Sequence, residues 1–325
     1  MWWSKSHFKP AGKLALIIGA SQGLGADIAF RLYEQGCSVI LVARTEAKLE
    51  KQVERIVNNG DKSSEHGLAP TCEYLACDAA NYDATAELWK VLVQEKNVDP
   101  DYIFCCAGSS VPKLFEDLTG RDIALGMDVN YFSAVNVIHC GIKATAGKKK
   151  PRHIILFSST VASYPFIGYI QYGPTKAAIS TFSMILRQEL RHKDYRVSCV
   201  FPGSFSSEGY EEEERTKPKI TKQIEGASPA IPSMDCCDFI LDKLAKGYDA
   251  IYTDMIGWLL GCMVLCVQPR CWSVLQVIVA LFLSAFAPLI NWFVNQDVKK
   301  FFQAQEQTEP EPIASDDHTS EALSK

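Results

Sequence analysis

The sequence lacks the basic excess that nucleic-acid-binding proteins carry. Its formal net charge is -5 over 325 residues, whereas an electrostatic footprint for nucleic acid needs lysine and arginine in excess on one face. The first ten residues also lack the apolar core of a secretory signal. We therefore expect neither a nucleic-acid partner nor a secreted protein.

Metal-ligand spacing is missing as well. The twelve cysteines are scattered, and many, such as Cys37 and Cys105, lie in apolar runs. Cys262 and Cys266 are four residues apart but have no histidines at zinc-ligand spacing. This usage is typical of reduced, buried thiols in a cytosol-facing protein, so we expect no metal site.

Short β-branched runs alternate with amphipathic stretches from Leu14 to about Tyr252. This alternation predicts an α/β fold, a Rossmann-like, doubly wound parallel sheet. The predicted strands are Leu14–Ile18, Ser38–Val42, Cys72–Ala76, Tyr102–Cys105, His153–Phe157, Arg196–Phe201 and Ala250–Tyr252. The predicted helices run near Leu24–Gln35, Glu46–Asn58, Tyr82–Glu95, Asp122–Ala146, Thr175–Arg191 and Met234–Ala245. The polar stretch Ser204–Ser228 predicts either a mobile loop or a lid of short helices.

The composition changes abruptly at Met255. Met255–Val267 is almost wholly apolar, and Gln268-Pro269-Arg270 separates it from a second apolar run, Cys271–Val294. Only the second run has the ~20 residues that a membrane-spanning helix needs. We therefore divide the chain into a Rossmann-like domain over 1–254, a membrane-anchoring apolar segment over 255–297, and an acidic, disordered tail over 298–325.

Two arrangements of the apolar segment stay open. In one, the first run lies at the membrane interface and the second run crosses the bilayer. In the other, the two runs form a re-entrant hairpin that turns at residues 268–270. The hairpin keeps the lysines on both sides of the segment in the cytosol, and we favour it slightly.

A glycine-rich turn follows the first predicted strand and opens the first predicted helix. Its sequence is Gly19-Ala20-Ser21-Gln22-Gly23-Leu24-Gly25. Glycines there allow a tight turn and a close approach of pyrophosphate to the backbone, with the phosphate charge at the helix N-terminus. We expect cofactor contacts from Gly19, Ser21, Gln22, Gly23, Leu24 and Gly25.

The residues after the second predicted strand indicate which nucleotide binds. Arg44 stands where an NAD enzyme would have an aspartate for the ribose 2′-hydroxyl. A guanidinium instead suits a 2′-phosphate, because it offers charge-assisted, fork-shaped hydrogen bonds. Lys48 lies four residues on and can add a second positive charge on the same helix face. The sequence therefore predicts NADPH rather than NADH.

Tyr172 and Lys176 are four residues apart, and Pro174 suits the first turn of a helix that would carry both on one side. Ser159 lies thirteen residues before Tyr172, at the end of a predicted strand. With the Gly-x-x-x-Gly-x-Gly spacing of the turn, this Ser…Tyr-x-x-x-Lys set resembles the short-chain dehydrogenase/reductase family.

Carbonyl reduction explains the set chemically. The carbonyl oxygen needs a proton, but free tyrosine, with a pKa of about 10, holds its proton tightly. A cation at Lys176 would lower that pKa and make Tyr172 the general acid.

The resemblance covers about Lys13–Tyr252 and implies further roles. Ser159 would hydrogen-bond the substrate oxygen, and Lys176 would also bind the nicotinamide ribose. Asn130 would hold a water that relays protons to the lysine, unless it is only a polar residue inside a helix. The other cofactor contacts that the resemblance implies are Asp78, Ala107, Gly108, Tyr172, Pro202, Gly203 and Ser204. The family's Asn-Asn-Ala-Gly turn is here Cys105-Cys106-Ala107-Gly108, so any bracing by asparagine side chains at that turn is in doubt.

Within the family, four features are most similar to the fungal reductases of 3-oxosphinganine, a long-chain keto-amine lipid. They are Ala43-Arg44 with Lys48-Leu49, the Cys-Cys-Ala-Gly turn, the segment 169–176, and the apolar C-terminal region. The similarity implies NADPH-dependent reduction of 3-oxosphinganine to sphinganine in sphingolipid biosynthesis, at the cytosolic face of the endoplasmic reticulum membrane. The alternatives are a membrane-bound hydroxysteroid or retinol dehydrogenase of the same family, and a non-catalytic NADPH-binding membrane scaffold. Whether the chain forms a homo-oligomer stays open.

Overall fold

The computed structural model describes residues 8–60, 69–226, 230–264 and 273–306. Its strands are β1 (Leu14–Ile18), β2 (Ser38–Ala43), β3 (Cys72–Ala76), β4 (Tyr102–Cys105), β5 (Arg152–Phe157), β6 (Tyr195–Phe201), β7 (Phe205–Ser206), β8 (Ile231–Pro232) and β9 (Ala250–Tyr252). Its α-helices are α1 (Gly23–Glu34), α2 (Glu46–Asn59), α3 (Tyr82–Lys90), α4 (Gly120–Met127), α5 (Ser133–Ala144), α6 (Gly173–Leu190), α7 (Glu208–Thr216), α8 (Lys219–Glu225), α9 (Ser233–Ala245), α10 (Met255–Met263) and α11 (Ser273–Glu306).

Seven strands form one parallel sheet in the order β3-β2-β1-β4-β5-β6-β9. The strand order reverses direction after β3, between β1 and β4, which is the mark of a doubly wound sheet. Alternate residues of β1 point to opposite faces, so that Ile17 lies in one buried cluster and Leu16 and Ile18 lie in the other. Both faces of the central strands are covered, which explains why β1 and β4 are continuous apolar runs. The predicted fold class is confirmed.

Two predicted helices contain π-helical turns. The helix predicted over Asp122–Ala146 consists of α4, a π-helical turn over Asp128–Phe132, and α5. A second π-helical turn, Val91–Glu95, follows α3. Such turns insert one extra residue per turn and re-aim the side chains there, and the first one carries Asn130.

The polar stretch after β6 forms two short helices, as the lid alternative expects. Ser207 caps α7 by accepting a hydrogen bond from the N–H of Tyr210 at 3.1 Å. A two-stranded pair, β7 with β8, connects the two ends of this segment. The sequence did not predict this pair, because each strand has only two residues.

The start of the apolar region packs against the sheet. Asp254 caps α10 through the N–H of Gly257 at 2.6 Å. A methyl group on Gly261 would lie 2.4 Å from the ring of Tyr252, so α10 lies directly against β9. The hairpin turn expected at residues 268–270 lies outside the described residues.

Helix α11 has 34 residues and contains Pro288. Among the described residues, it is the one helix long and apolar enough to cross a membrane. Large apolar side chains along it are exposed, including Val274, Leu281 and Trp292, which indicates membrane association. The helix continues into the predicted tail as far as Glu306, and residues 307–325 lie outside the described residues. The chain divides into two compact units, 1–285 and 286–325.

Candidate active site

The glycine-rich turn lies at the carboxyl ends of β1 and β4. Gly19 has a φ of +82°, and a methyl group on it would lie 2.6 Å from the backbone N of Ala107. A methyl group on Gly25 would lie 2.4 Å from the carbonyl oxygen of Gly19. Larger residues are therefore excluded at both positions, and the turn brings helix α1 close to the sheet.

The N-terminus of α1 suits the pyrophosphate of a dinucleotide. Gln22 is the residue before the helix, and its side chain makes no capping hydrogen bond in the described part of the chain. The N–H groups of the first turn can therefore bind an anion, which the helix dipole also favours. Gly23 has a φ of +56° and no side chain, so a phosphate can approach the backbone there. Ser21 and Leu24 lie in the same turn, so these residues fit the cofactor.

The two predicted phosphate-binding cations differ in their surroundings. Arg44 is exposed directly after β2. The ammonium of Lys48 contacts Gln22 Oε1 of the glycine-rich turn and Glu208 of α7, the latter at 3.1 Å. Lys48 therefore connects the turn to the lid.

Ser159, Tyr172 and Lys176 come together. Ser159 follows β5, while Tyr172 immediately precedes α6 and Lys176 lies in its first turn. The side chain of Ser159 lies close enough to the Tyr172 hydroxyl to lower its pKa, and the Lys176 ammonium lies 5.5 Å from the centre of the Tyr172 ring. Ser158, which the sequence did not predict, donates to the Lys176 carbonyl at 2.7 Å and holds α6 in place.

The pKa of the Tyr172 hydroxyl differs from the expectation. Burial raises it and the charge of Glu213 raises it further, while the nearby Ser159 side chain lowers it. The net direction is upward, so the expected lowering by Lys176 is wrong for this structure. The phenol therefore stays protonated at neutral pH, which is the form that a general acid needs.

Lys176 is almost completely buried. Its ammonium donates to the carbonyl of Phe157 at 3.0 Å. Burial is the largest influence on its pKa, which falls to about 8, because a desolvated cation is less stable than the neutral amine.

Asn130 braces the turn after β4. Its Nδ2 donates to the carbonyls of Ser109 at 2.9 Å and Gly126 at 3.1 Å, and its Oδ1 accepts from the N–H of Ser109 at 3.0 Å. A methyl group on Gly108 would lie 3.0 Å from Asn130 Oδ1 and 3.1 Å from the Lys176 ammonium. Asn130 thus supplies bracing that the Cys105-Cys106 replacement had put in doubt.

The remaining predicted cofactor residues lie at strand ends. Asp78 is exposed after β3 and accepts from the N–H of Ala80 at 3.1 Å. Pro202, Gly203 and Ser204 follow β6. The N–H of Gly203 donates to Thr253 Oγ1 at 3.0 Å. All these residues follow the carboxyl ends of parallel strands, where such sheets bind ligands.

Residues 13–218 match the family model described as short chain dehydrogenase. The chain belongs to the short-chain dehydrogenase family. Membership makes it an oxidoreductase with a nicotinamide cofactor, and the resemblance inferred from the Ser159, Tyr172 and Lys176 pattern is confirmed.

Curated relatives cover three quarters of the chain or more. The 3-ketodihydrosphingosine reductase of Debaryomyces hansenii is 52% identical over 329 aligned residues, covering 98% of this chain and 99% of that protein. The protein of the same name from Saccharomyces cerevisiae is 42% identical over 264 residues, covering 76% of this chain and 81% of its own length.

Solved short-chain dehydrogenases share the fold. The L-sorbose reductase of Gluconobacter frateurii, solved with NADPH and L-sorbose, has a TM-score of 0.62 at 19% identity and covers 78% of this chain and 97% of its own. A short-chain dehydrogenase of Sphingobium yanoikuyae in complex with NADPH has a TM-score of 0.64 at 19% identity, with 81% and 98% covered.

Proposed function

We propose that this chain is a membrane-anchored reductase that converts 3-oxosphinganine to sphinganine with NADPH in sphingolipid synthesis. The observation that carries the proposal is the 52% identity, over nearly the full length of both proteins, with a 3-ketodihydrosphingosine reductase. The assembled Ser159, Tyr172 and Lys176 support it, because each residue has the chemistry that ketone reduction requires.

Each site residue has a defined task in the proposed reaction. The glycine-rich turn binds the pyrophosphate, Arg44 binds the 2′-phosphate, and Lys176 binds the nicotinamide ribose. NADPH, when bound, supplies the hydride for the carbonyl carbon. Tyr172 transfers its proton to the carbonyl oxygen, and Ser159 hydrogen-bonds the same oxygen. The product is a secondary alcohol.

Turnover by the purified protein tests the proposal. We expect oxidation of NADPH that depends on 3-oxosphinganine, with much slower turnover when NADH replaces NADPH. A parallel assay with steroid and retinoid substrates separates the related dehydrogenase activities. Activity on those substrates alone would replace the proposed substrate, and NADPH binding without turnover of any ketone would support a scaffold.

We further propose that the catalytic unit faces the cytosol at the endoplasmic reticulum, with α11 as the anchor. The exposed apolar side chains of α11 support this placement. A long-chain ketone partitions into the bilayer, so an anchored enzyme meets it at a higher local concentration. A glycosylation acceptor placed after residue 307 tests the topology: an unmodified tail supports the hairpin, whereas a glycosylated tail requires a single crossing.

A further inference from the structure

Helices α7 and α8 together form what we call the α7–α8 lid, and the catalytic turn is the segment 167–172 that leads into α6. Tyr169 connects the two. Its carbonyl oxygen accepts hydrogen bonds from the N–H groups of Tyr172 at 3.0 Å and Gly173 at 2.7 Å, at the start of α6. Its hydroxyl donates to Glu213 Oε1 of α7 at 2.6 Å. One residue thus contacts the general acid's backbone and the lid's side chains.

A buried cation holds the lid side of this contact. Lys217, between α7 and α8, has a side chain that is 0% exposed. Its ammonium lies 3.4 Å from Glu213 and 2.6 Å from Glu225, and also contacts Glu214. A buried ammonium is stable only when paired, so Lys217 fixes the two lid helices around Glu213.

Helix α8 makes a second contact with the segment that precedes Tyr172. The hydroxyl of Thr221 donates to the carbonyl of Ile167 at 3.1 Å. Gly168 has a φ of +93°, and a methyl group on it would lie 2.0 Å from Thr221 Oγ1. The lid therefore contacts residues 167–169 through both of its helices, immediately before Tyr172.

The charge of Glu213 affects the pKa of Tyr172. Burial raises the pKa of Glu213, while hydrogen bonding with Tyr169 and the charge of Lys217 lower it. Its carboxylate in turn is the second largest cause, after burial, that raises the pKa of Tyr172. Glu213 is therefore close enough to influence the general acid without being part of the Ser159, Tyr172 and Lys176 set.

We propose that Glu213 is a positioning residue, which docks the α7–α8 lid beside Tyr172 through its hydrogen bond with Tyr169. The docked lid holds the ketone against the general acid. This role rests on the proposed ketone reduction and requires no direct contact between Glu213 and the substrate.

Kinetics of Tyr169→Phe, Glu213→Gln and the double variant test the proposal in the full-length protein. We expect each single variant to raise the KM for 3-oxosphinganine about tenfold, with kcat and NADPH affinity nearly unchanged, since a charge-assisted hydrogen bond is weakened. Both changes affect the same Tyr169–Glu213 hydrogen bond, so the double variant should lose less than the sum of the two single variants. Each residue also has one contact of its own, Tyr169 with Glu225 at 3.5 Å and Glu213 with Lys217 at 3.4 Å. Additive losses would overturn the proposal.

Two matched controls separate the contact from general effects on the lid. Tyr210→Phe removes a hydroxyl from another tyrosine whose ring also lies 5.7 Å from the Lys217 ammonium. Glu211→Gln removes an exposed carboxylate from the same helix. Both controls should keep the wild-type KM, and a rise equal to that of the test variants would overturn the specific role of Glu213.

Limited proteolysis provides a readout that needs no turnover. Trypsin should cleave after Arg215 and Lys219 faster in Tyr169→Phe and Glu213→Gln than in wild type or the controls, at unchanged melting temperature. Faster cleavage supports docking even if 3-oxosphinganine is not the substrate, whereas unchanged cleavage overturns it. A KM effect confined to ketones that carry an amino group would also overturn it, in favour of direct ammonium binding.

Discussion

The glycine-rich turn and the α7–α8 lid, which Lys48 links through its contacts with Gln22 and Glu208, keep their shapes by different means. The turn is determined by the backbone: a methyl group on Gly19 would lie 2.6 Å from the backbone of Ala107. The lid is determined by side chains, with Lys217 buried among carboxylates and Tyr169 bonded to Glu213. A backbone constraint admits only glycine, so it is visible in the sequence as a motif. Side-chain pairs can be replaced by other pairs, so they leave no motif in the sequence.

The largest effect should come from removing one atom on the catalytic face. Tyr172→Phe should lower kcat by about 10³-fold, because it removes the general acid. NADPH affinity should stay within about twofold, since the glycine-rich turn is untouched. Steady-state turnover and fluorescence titration with NADPH measure the two quantities. Turnover near the wild-type rate would contradict the assignment of Tyr172.

A substitution in the glycine-rich turn should instead impair stability and NADPH binding. Gly19→Ala should lower the free energy of unfolding by about 3 kcal/mol and abolish NADPH binding, because the added methyl group overlaps backbone atoms. Gly147→Ala is the matched control: Gly147 has the same φ of +82° but nothing within 4 Å. It should cost only about 1 kcal/mol and leave NADPH binding intact. Equal losses in thermal denaturation would show that the φ angle, not the close approach, determines the turn.

Comparison of NADPH with NADH tests the contribution of the Arg44 charge separately from the shape of the turn. Arg44→Asp should lower the NADPH/NADH ratio of kcat/KM by about 100-fold, since repulsion replaces attraction for the 2′-phosphate. Arg121→Asp changes another exposed arginine in the same way and should leave the ratio unchanged. An unaltered ratio in the Arg44 variant would assign the phosphate to Lys48 or the turn itself.

The smallest expected effect concerns pH. The Lys176 pKa is about 8, below the ordinary lysine value, so the cation is present below that pH and is lost above it. NADPH affinity should therefore fall by up to about tenfold between pH 7 and pH 9. Calorimetric titration of wild type and Lys176→Ala measures this. The variant should bind weakly at both pH values, and a parallel fall in the variant would mean that another group titrates.

Local patterns were sufficient for the sheet and the reaction residues. The alternation of short β-branched runs with amphipathic stretches predicted all seven strands of the sheet to within one residue at each end, and β1 and β4 without error. The four-residue spacing of Tyr172 and Lys176 predicted a shared helix face, because such spacing depends only on helical geometry.

The sequence by itself therefore determined the fold class, the nucleotide turn and the family, since each depends on neighbours close along the chain. Only the tertiary structure decided what surrounds Tyr172. Glu213 lies 44 residues from Tyr169 along the chain, and no periodicity relates two such positions. The upward direction of the Tyr172 pKa likewise depends on burial and on the charge of Glu213. Both arise only when the lid packs against the catalytic turn, because desolvation and charge act through space and not along the chain.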